Sequence, residues 1–323
     1  MEVLPSEQKK ILTQAINEGR DKVFSRYGKA PSKAFSEIFI QYILTFFGWL
    51  TVFVTIGIAY VLLKDGIIFF QKASIIEFFT GTEWAPFGEP KKLGVLPLVN
   101  GTLMVALGAI VISIPLGIGT AIFLTQFATR QIREILTPLI EILGGIPTVV
   151  YGYFALDIVT PILKKIFPEI EIFNALSASI VVGISLIPMI TSLSSEAIRV
   201  VPKKIQNGAY ALGLTKFHVI TRITIPAALS GIIASIILAF ARAIGETMAV
   251  TLAAGASPKM GFNYLESIQT MTAFIVQVSL GDTPAGSIEY YTIYAIGLTL
   301  FIITFSFNWI ALQIVRKFRE EYK

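Results

Sequence analysis

The sequence predicts an all-α polytopic membrane protein with six transmembrane helices, and three observations carry that prediction. Hydrophobic residues make up 54% of the 323 and charged ones only 15%, which gives a mean hydropathy of +0.73, far above that of a soluble domain. Six apolar runs are each long enough to cross a hydrocarbon core of about 30 Å. The basic residues are divided unevenly between the segments that join those runs, as the positive-inside rule requires of a protein with a fixed orientation.

Composition also sets several function classes aside. The chain has no cysteine and a single histidine, His218, so neither a disulfide framework, a thiolate metal site nor a histidine cluster is expected, and no cofactor or metal is assigned to this chain. The net charge of +5 is read as an orientation signal and not as a nucleic-acid footprint, because the chain is so apolar.

Residues 1–37 form a polar N-terminal segment with 7 of the 26 Lys and Arg. The first apolar run, about 38–63, is too long for the core of a cleavable signal peptide and reads as a retained anchor. Further spans are expected near 98–127, 135–163, 174–193, 227–254 and 290–315, so that residues 38–323 make one transmembrane domain. With a cytoplasmic N-terminus, the inner segments hold 18 basic residues and the outer loops 7, with Arg242 alone inside a span. Both termini are therefore expected inside. Two outer segments, 64–97 and 255–289, are longer than a simple link needs and could receive an external partner. Within the second, YLESIQTMTAFIVQVSLGD is expected to form a short amphipathic helix.

Several spans are interrupted, by Pro115, by Gly144-Gly145-x-Pro147 and by Pro188. Such breaks occur where neighbouring helices or water satisfy the freed backbone groups, often along a pathway. The fifth span is the most specific. AFARAIGETMAVTLAAG, residues 239–255, places Arg242 and Glu246 four residues apart among small side chains. One ridge at four-residue spacing runs through Gly231, Ser235, Ala239, Ala243, Thr247, Thr251 and Gly255, and a second through Ala241, Gly245, Ala249 and Ala253. A charge at mid-bilayer costs about 3 kcal/mol on insertion scales, so it is rarely idle. On one helical face the two charges are expected to pair, and the guanidinium offers a planar donor fork suited to an oxyanion. Arg242, Glu246 and Thr247 are therefore the candidate substrate-pathway residues. A purely structural ion pair between subunits is the competing reading.

Between the fourth and fifth spans lies the longest inner loop, 194–226, which reads as a short helix after Pro202, a turn at Gly213, a second short helix from about Lys216 and a stop before Pro226. Gly208 to Gly213 has the spacing of part of a phosphate-binding loop, but Leu214-Thr215 stands where Lys-Ser/Thr is required, so no ATP site is expected in this chain. A helix-turn-helix of this kind is a compact knob able to seat in a groove of another protein.

That loop resembles the cytoplasmic EAA loop of ABC importer permeases. The matching residues are Asn207, Gly208 and Ala209, then Gly213, then Ile223-Thr224-Ile225-Pro226. Asn207 stands for the usual glutamate, Gly208 for the first alanine and Ile225 for the leucine. GVLPLVNGTL at 94–103, ILGGIPTVVYG at 142–152 and ARAIGETMAV at 241–250 are similar to the phosphate-specific permeases of that superfamily, the PstC subunits. The resemblance implies a type I ABC importer permease fold in a bacterial inner membrane, ATPase coupling through Asn207, Gly208, Ala209, Gly213, Ile223 and Pro226, and transport of inorganic phosphate. It also implies a second, PstA-like permease, a PstB-like ATPase dimer that binds ATP and Mg, and an extracytoplasmic PstS-like phosphate-binding protein. Permeation of another oxyanion, such as phosphonate, molybdate or sulfate, is the nearest alternative. An ion-coupled secondary carrier, with Arg242 and Glu246 as a proton relay, is a more distant one. A membrane enzyme is disfavoured because no second cluster of acid, base or nucleophile residues converges. Glu141, just inside the third span, reads as structural or as snorkelling to the inner face.

Overall fold

A computed structural model of the chain describes residues 35–317, with side chains from 38 to 315. The N-terminal segment and the extreme C-terminus thus lie outside the described residues. The chain divides after Tyr60 into two units. Helix α1, Phe35–Lys72, extends beyond the expected 38–63. From Ile38 to Tyr60 it is predominantly apolar on all sides and almost entirely exposed, as a lipid-facing helix should be.

The second unit is organised around α3, Leu96–Ile122, and α7, Ala175–Val200. Small residues let the two backbones approach closely, the packing mode available where no hydrophobic force drives helices together. A Cβ on Gly108 would lie 2.5 Å from the Ser179 hydroxyl, one on Gly117 2.7 Å from Ile190, and one on Gly183 2.9 Å from the Ala109 carbonyl oxygen. Thr191 Oγ1 donates to the Gly117 carbonyl at 3.1 Å. Val105, Ala109, Ala178, Val182, Leu186 and Ile190 are buried along this seam. Because the group facing Gly183 is backbone and cannot rotate away, Gly183→Val should destabilise the solubilised protein by about 1–3 kcal/mol. A thermal-stability measurement by size-exclusion chromatography should show an earlier loss of the folded peak, and an unchanged midpoint would mean that the seam is looser than the structure describes.

Among the described residues five helices are long and apolar enough to cross a membrane, or six if one bent pair counts as a single span. That pair is α4, Arg130–Gly145, and the helical stretch Thr148–Lys164, joined at 89°. The stretch comprises α5, Thr148–Phe154, a π turn at Ala155–Val159 and α6, Thr160–Lys164. Its cause is local: Pro147 excludes a helical conformation for Ile146, which is extended at φ −67°, ψ 128°, and two glycines precede it.

Three sequence expectations are corrected. The helix at Lys216 does not stop before Pro226. It runs on from α9, Lys216–Val219, through a π turn at Ile220–Thr224 and α10, Ile225–Ala227, into α11, Leu229–Gly245. The wider turn accommodates a proline that has no N–H and would crowd the preceding turn. The outer segment's helix α13, Met271–Leu280, is apolar and not amphipathic, with Met271, Phe274 and Val278 buried against Phe69, Phe78, Trp84 and Leu98. The segment before α3 includes α2, Ile75–Thr80, and also a two-residue antiparallel ribbon, β1 Trp84–Ala85 with β2 Lys92–Leu93, the one strand pairing among the described residues. The last helix, α14, is Ile288–Lys317.

A candidate anion site at a helix break and a projecting knob

The third correction concerns the two charges. Helix α11 ends at Gly245, and Glu246 is extended at φ −64°, ψ 128°. Arg242 and Glu246 therefore do not share a helical face, and among the described residues no ion pair joins them. Glu246 instead accepts hydrogen bonds through Oε1 from the backbone N–H groups of Thr247 at 3.2 Å and Ala249 at 3.4 Å. It thereby caps the next helix, α12, Met248–Ala253, where a carboxylate is favoured by the exposed N–H groups and the helix dipole. Thr247 Oγ1 donates to the Gly245 carbonyl at 3.1 Å, and Thr272 Oγ1 donates to the Glu246 carbonyl at 2.8 Å. The break is thus pinned from both sides.

The small ridges are divided by the same break. Gly231, Ser235, Ala239 and Ala243 pack on α7: a Cβ on Gly231 would meet Ala197 at 2.4 Å, the Ser194 and Ser235 hydroxyls are 2.9 Å apart, and Ala239 and Ala243 are buried. Thr247 and Thr251 belong to the break and to α12, while Gly255 turns the chain at φ +92°. With the ridge committed to α7, Arg242 projects from the exposed side of α11 beside Gly245, where added atoms would find open space.

The second broken span meets the first at this level. A Cβ on Gly152 of α5 would lie 2.8 Å from Leu252 of α12 and 3.1 Å from the Ala249 carbonyl. Tyr151 Oη donates to the Leu143 carbonyl at 2.7 Å, satisfying a group freed by the bend. Two interrupted helices therefore pack their second halves together next to a guanidinium with no carboxylate partner among the described residues. This arrangement suits transient binding of an anion, because the fork of donors is available and the Glu246 carboxylate is occupied by backbone N–H groups. Among the described residues no group of three or more metal-ligating side chains converges. Sequence reasoning found Arg242 and Glu246 but missed Thr272 and Tyr151, whose roles depend on breaks that bring distant segments together.

The first helix and the turn of the knob take the expected form. Helix α8, Lys203–Ala211, ends where Gly213 turns the chain at φ +82°. Gly213 N–H reaches the Tyr210 carbonyl at 2.9 Å and Leu214 N–H the Ala209 carbonyl at 3.2 Å, a helix end of the type that places glycine in the left-handed region. Asn207, Gly208, Gly213 and Pro226 are exposed, Ala209 is buried and Ile223 half-buried. Tyr210, Leu212 (85% exposed) and Phe217 (67%) present apolar side chains, which suits a surface made for a protein groove. The knob is anchored to the rest of the unit by Lys216 Nζ, 4.4 Å above the Phe127 ring, a cation–π contact. On the opposite side, the 255–270 segment is fastened by Lys259 Nζ and Glu266 Oε2 at 3.0 Å and by Ser267 N–H donating to Glu171 at 2.8 Å. Hydrogen bonds from Lys259 and Asn263 hold the Glu266 carboxyl below its usual range.

Comparison with known proteins agrees with this architecture. Residues 113–320 match the family described as binding-protein-dependent transport system inner membrane component. The chain is 35% identical to the probable ABC transporter permease protein YqgH of Bacillus subtilis over 72% of this chain and 75% of the relative. It is 34% identical to the phosphate transport system permease protein PstC of Xylella fastidiosa, over 76% and 81%. Among solved structures, a bacterial ABC transporter for alginate import covers 90% of this chain and 100% of its own at 14% identity and a TM-score of 0.62. The inward-facing MetNI methionine transporter covers 70% and 95% at 15% identity and a TM-score of 0.53; both share the fold. The chain therefore belongs to the binding-protein-dependent transport system inner membrane components, as a multi-pass inner-membrane permease subunit of an ABC importer whose ATPase is a separate subunit.

Proposed function

We propose that this permease carries inorganic phosphate, in the manner of the PstC subunits. One observation supports it above others: Arg242 stands at a helix break with its guanidinium free of carboxylate partners among the described residues, in a chain whose relatives include several permeases named for phosphate. Arg242 binds the oxyanion, while Glu246 and Thr247 fix the break that presents it. A PstA-like permease supplies the other wall of the pathway, and a PstS-like binding protein delivers phosphate to the outer loops. A PstB-like ATPase dimer, holding ATP and Mg, receives the knob through Asn207, Gly208, Ala209, Gly213, Ile223 and Pro226. The whole complex, reconstituted with its binding protein, should hydrolyse ATP faster when phosphate is supplied and should accumulate labelled phosphate against competing sulfate, molybdate and phosphonate. Stronger competition by one of those three than by unlabelled phosphate would reassign the substrate.

The same reading fixes the orientation, with both termini cytoplasmic. A reporter fused after Lys323 should be active only in the cytoplasm, and tags near Glu89 and Asp282 should react with impermeant reagents in intact cells. Labelling at Lys323 from outside would invert the assignment and place the knob away from the ATPase.

A further inference from the structure

A second polar site lies at the knob end of α7. A cavity of about 170 Å³ is lined by Thr137 and Glu141 of α4 and by Ser192, Ser195, Glu196 and Arg199 of α7. The hydroxyls of Thr137 and Ser195 are buried and make no hydrogen bond within the described chain, and Ser195 is only 6% exposed. This is unusual for the protein. Many of its helical hydroxyls bond back to a carbonyl four residues earlier, as do Thr102, Thr120, Thr125, Ser179 and Thr299, and others, such as Thr191 and Ser194, find a partner on a neighbouring helix. An orphaned buried hydroxyl costs about 1–3 kcal/mol unless a ligand or water supplies the partner. Among the described residues, Glu141, Glu196 and Arg199 also form no ion pair.

The cavity therefore joins donors to acceptors. Arg199 and the two hydroxyls donate to oxyanion oxygens, whereas Glu141 and Glu196 can only accept. Arg199 disfavours a bare cation, and the carboxylates disfavour an oxyanion with no proton to give. Near neutral pH inorganic phosphate retains at least one P–O–H group and sulfate retains none. We propose that this cavity is a second, inner station for a protonated oxyanion, with Arg199, Ser195 and Thr137 holding its oxygens and Glu141 or Glu196 accepting its proton in a hydrogen bond. The Ser194–Ser235 contact sets its level relative to Arg242. Seven residues of helix, about 10 Å, separate Ser235 from Arg242, so the two stations are distinct positions along the unit. This inference rests on the phosphate reading and deepens it, because the carboxylates select for protonation state.

The test uses the complete complex in vesicles with the ATPase facing the bath, binding protein and labelled phosphate in the lumen, and ATP in the bath. Unlabelled phosphate or arsenate added to the bath should slow the transfer of label, and sulfate at equal concentration should not. The half-inhibiting phosphate concentration should rise about tenfold in Arg199→Gln, the loss of one charge-assisted hydrogen bond, and should also rise in Ser195→Ala. Glu196→Gln together with Glu141→Gln should make sulfate an inhibitor. Ser195→Ala removes one oxygen from a small buried residue, so a complex that co-purifies intact keeps the test decisive. Label transfer that proceeds normally while all variants keep the wild-type phosphate and sulfate responses would overturn the inner station alone. Failure of the wild-type complex to transfer any phosphate would overturn the phosphate reading and this site with it.

Discussion

Arg242→Gln is expected to leave a complex that assembles, binds the ATPase and hydrolyses ATP, yet accumulates phosphate at least tenfold more slowly than wild type. The magnitude follows from removing charge-assisted hydrogen bonds of about 1.5–3 kcal/mol, each 1.4 kcal/mol being a factor of ten. Assembly should survive because Arg242 is exposed and, among the described residues, no side chain in the structure depends on it for an ion pair. Arg242→Lys should restore little, since an ammonium supplies a point charge without the planar fork. The exchange Arg242→Glu with Glu246→Arg separates the competing accounts. A structural ion pair would be rescued by it. The observed geometry predicts no rescue, because Glu246 is a helix cap whose carboxylate receives the Thr247 and Ala249 N–H groups, and an arginine there would place a donor against donors. Normal uptake by Arg242→Gln, or recovery in the exchange, would remove Arg242 from the pathway.

How much of this was legible in the sequence depended on range. Membrane-length runs, the charge bias and the α8–Gly213–α9 turn are local properties, and hydropathy, proline and glycine chemistry report them directly. The Arg242–Glu246 geometry was misjudged because four-residue spacing implies a shared face only while the helix continues, and nothing between Ala243 and Thr247 is an obligate breaker. The break is held by partners remote in sequence: Thr272 bonds the Glu246 carbonyl, and α5 packs on α12 through Gly152. Amphipathicity misled at Met271–Leu280 for a related reason. Its partners are remote in sequence: Phe69, Phe78, Trp84 and Leu98 bury Met271, Phe274 and Val278 and Thr272 bonds the Glu246 carbonyl, while Gln277 and Ser279 stay exposed on a helix that is otherwise apolar. The inner cavity was illegible altogether. Thr137 and Ser195 look like any other helical hydroxyls until their missing i−4 bonds are seen.

Gly213→Val should uncouple the transporter, lowering phosphate moved per ATP severalfold while the permease itself remains folded. The residue sits at φ +82°, a region where a β-branched side chain is strained by at least about 1–2 kcal/mol. No atom lies within 4 Å of where its Cβ would be, so the penalty is one of backbone conformation and not of collision. The chain can relieve it only by leaving the left-handed region, which breaks the Gly213–Tyr210 and Leu214–Ala209 hydrogen bonds and swings α8 relative to α9. That motion displaces Tyr210, Leu212 and Phe217, the exposed apolar side chains of the knob, from whatever groove receives them. The core is spared, because nothing of it lies within 4 Å of the Gly213 Cβ position. A substitution series tests strain against mere size: Gly213→Asn, which tolerates the left-handed region, should couple nearly normally, Gly213→Ala should be intermediate and Gly213→Val worst. Transport and ATP hydrolysis measured together in proteoliposomes give the ratio. If Gly213→Val keeps the wild-type stoichiometry, the turn does not transmit force and the ATPase engages the permease elsewhere.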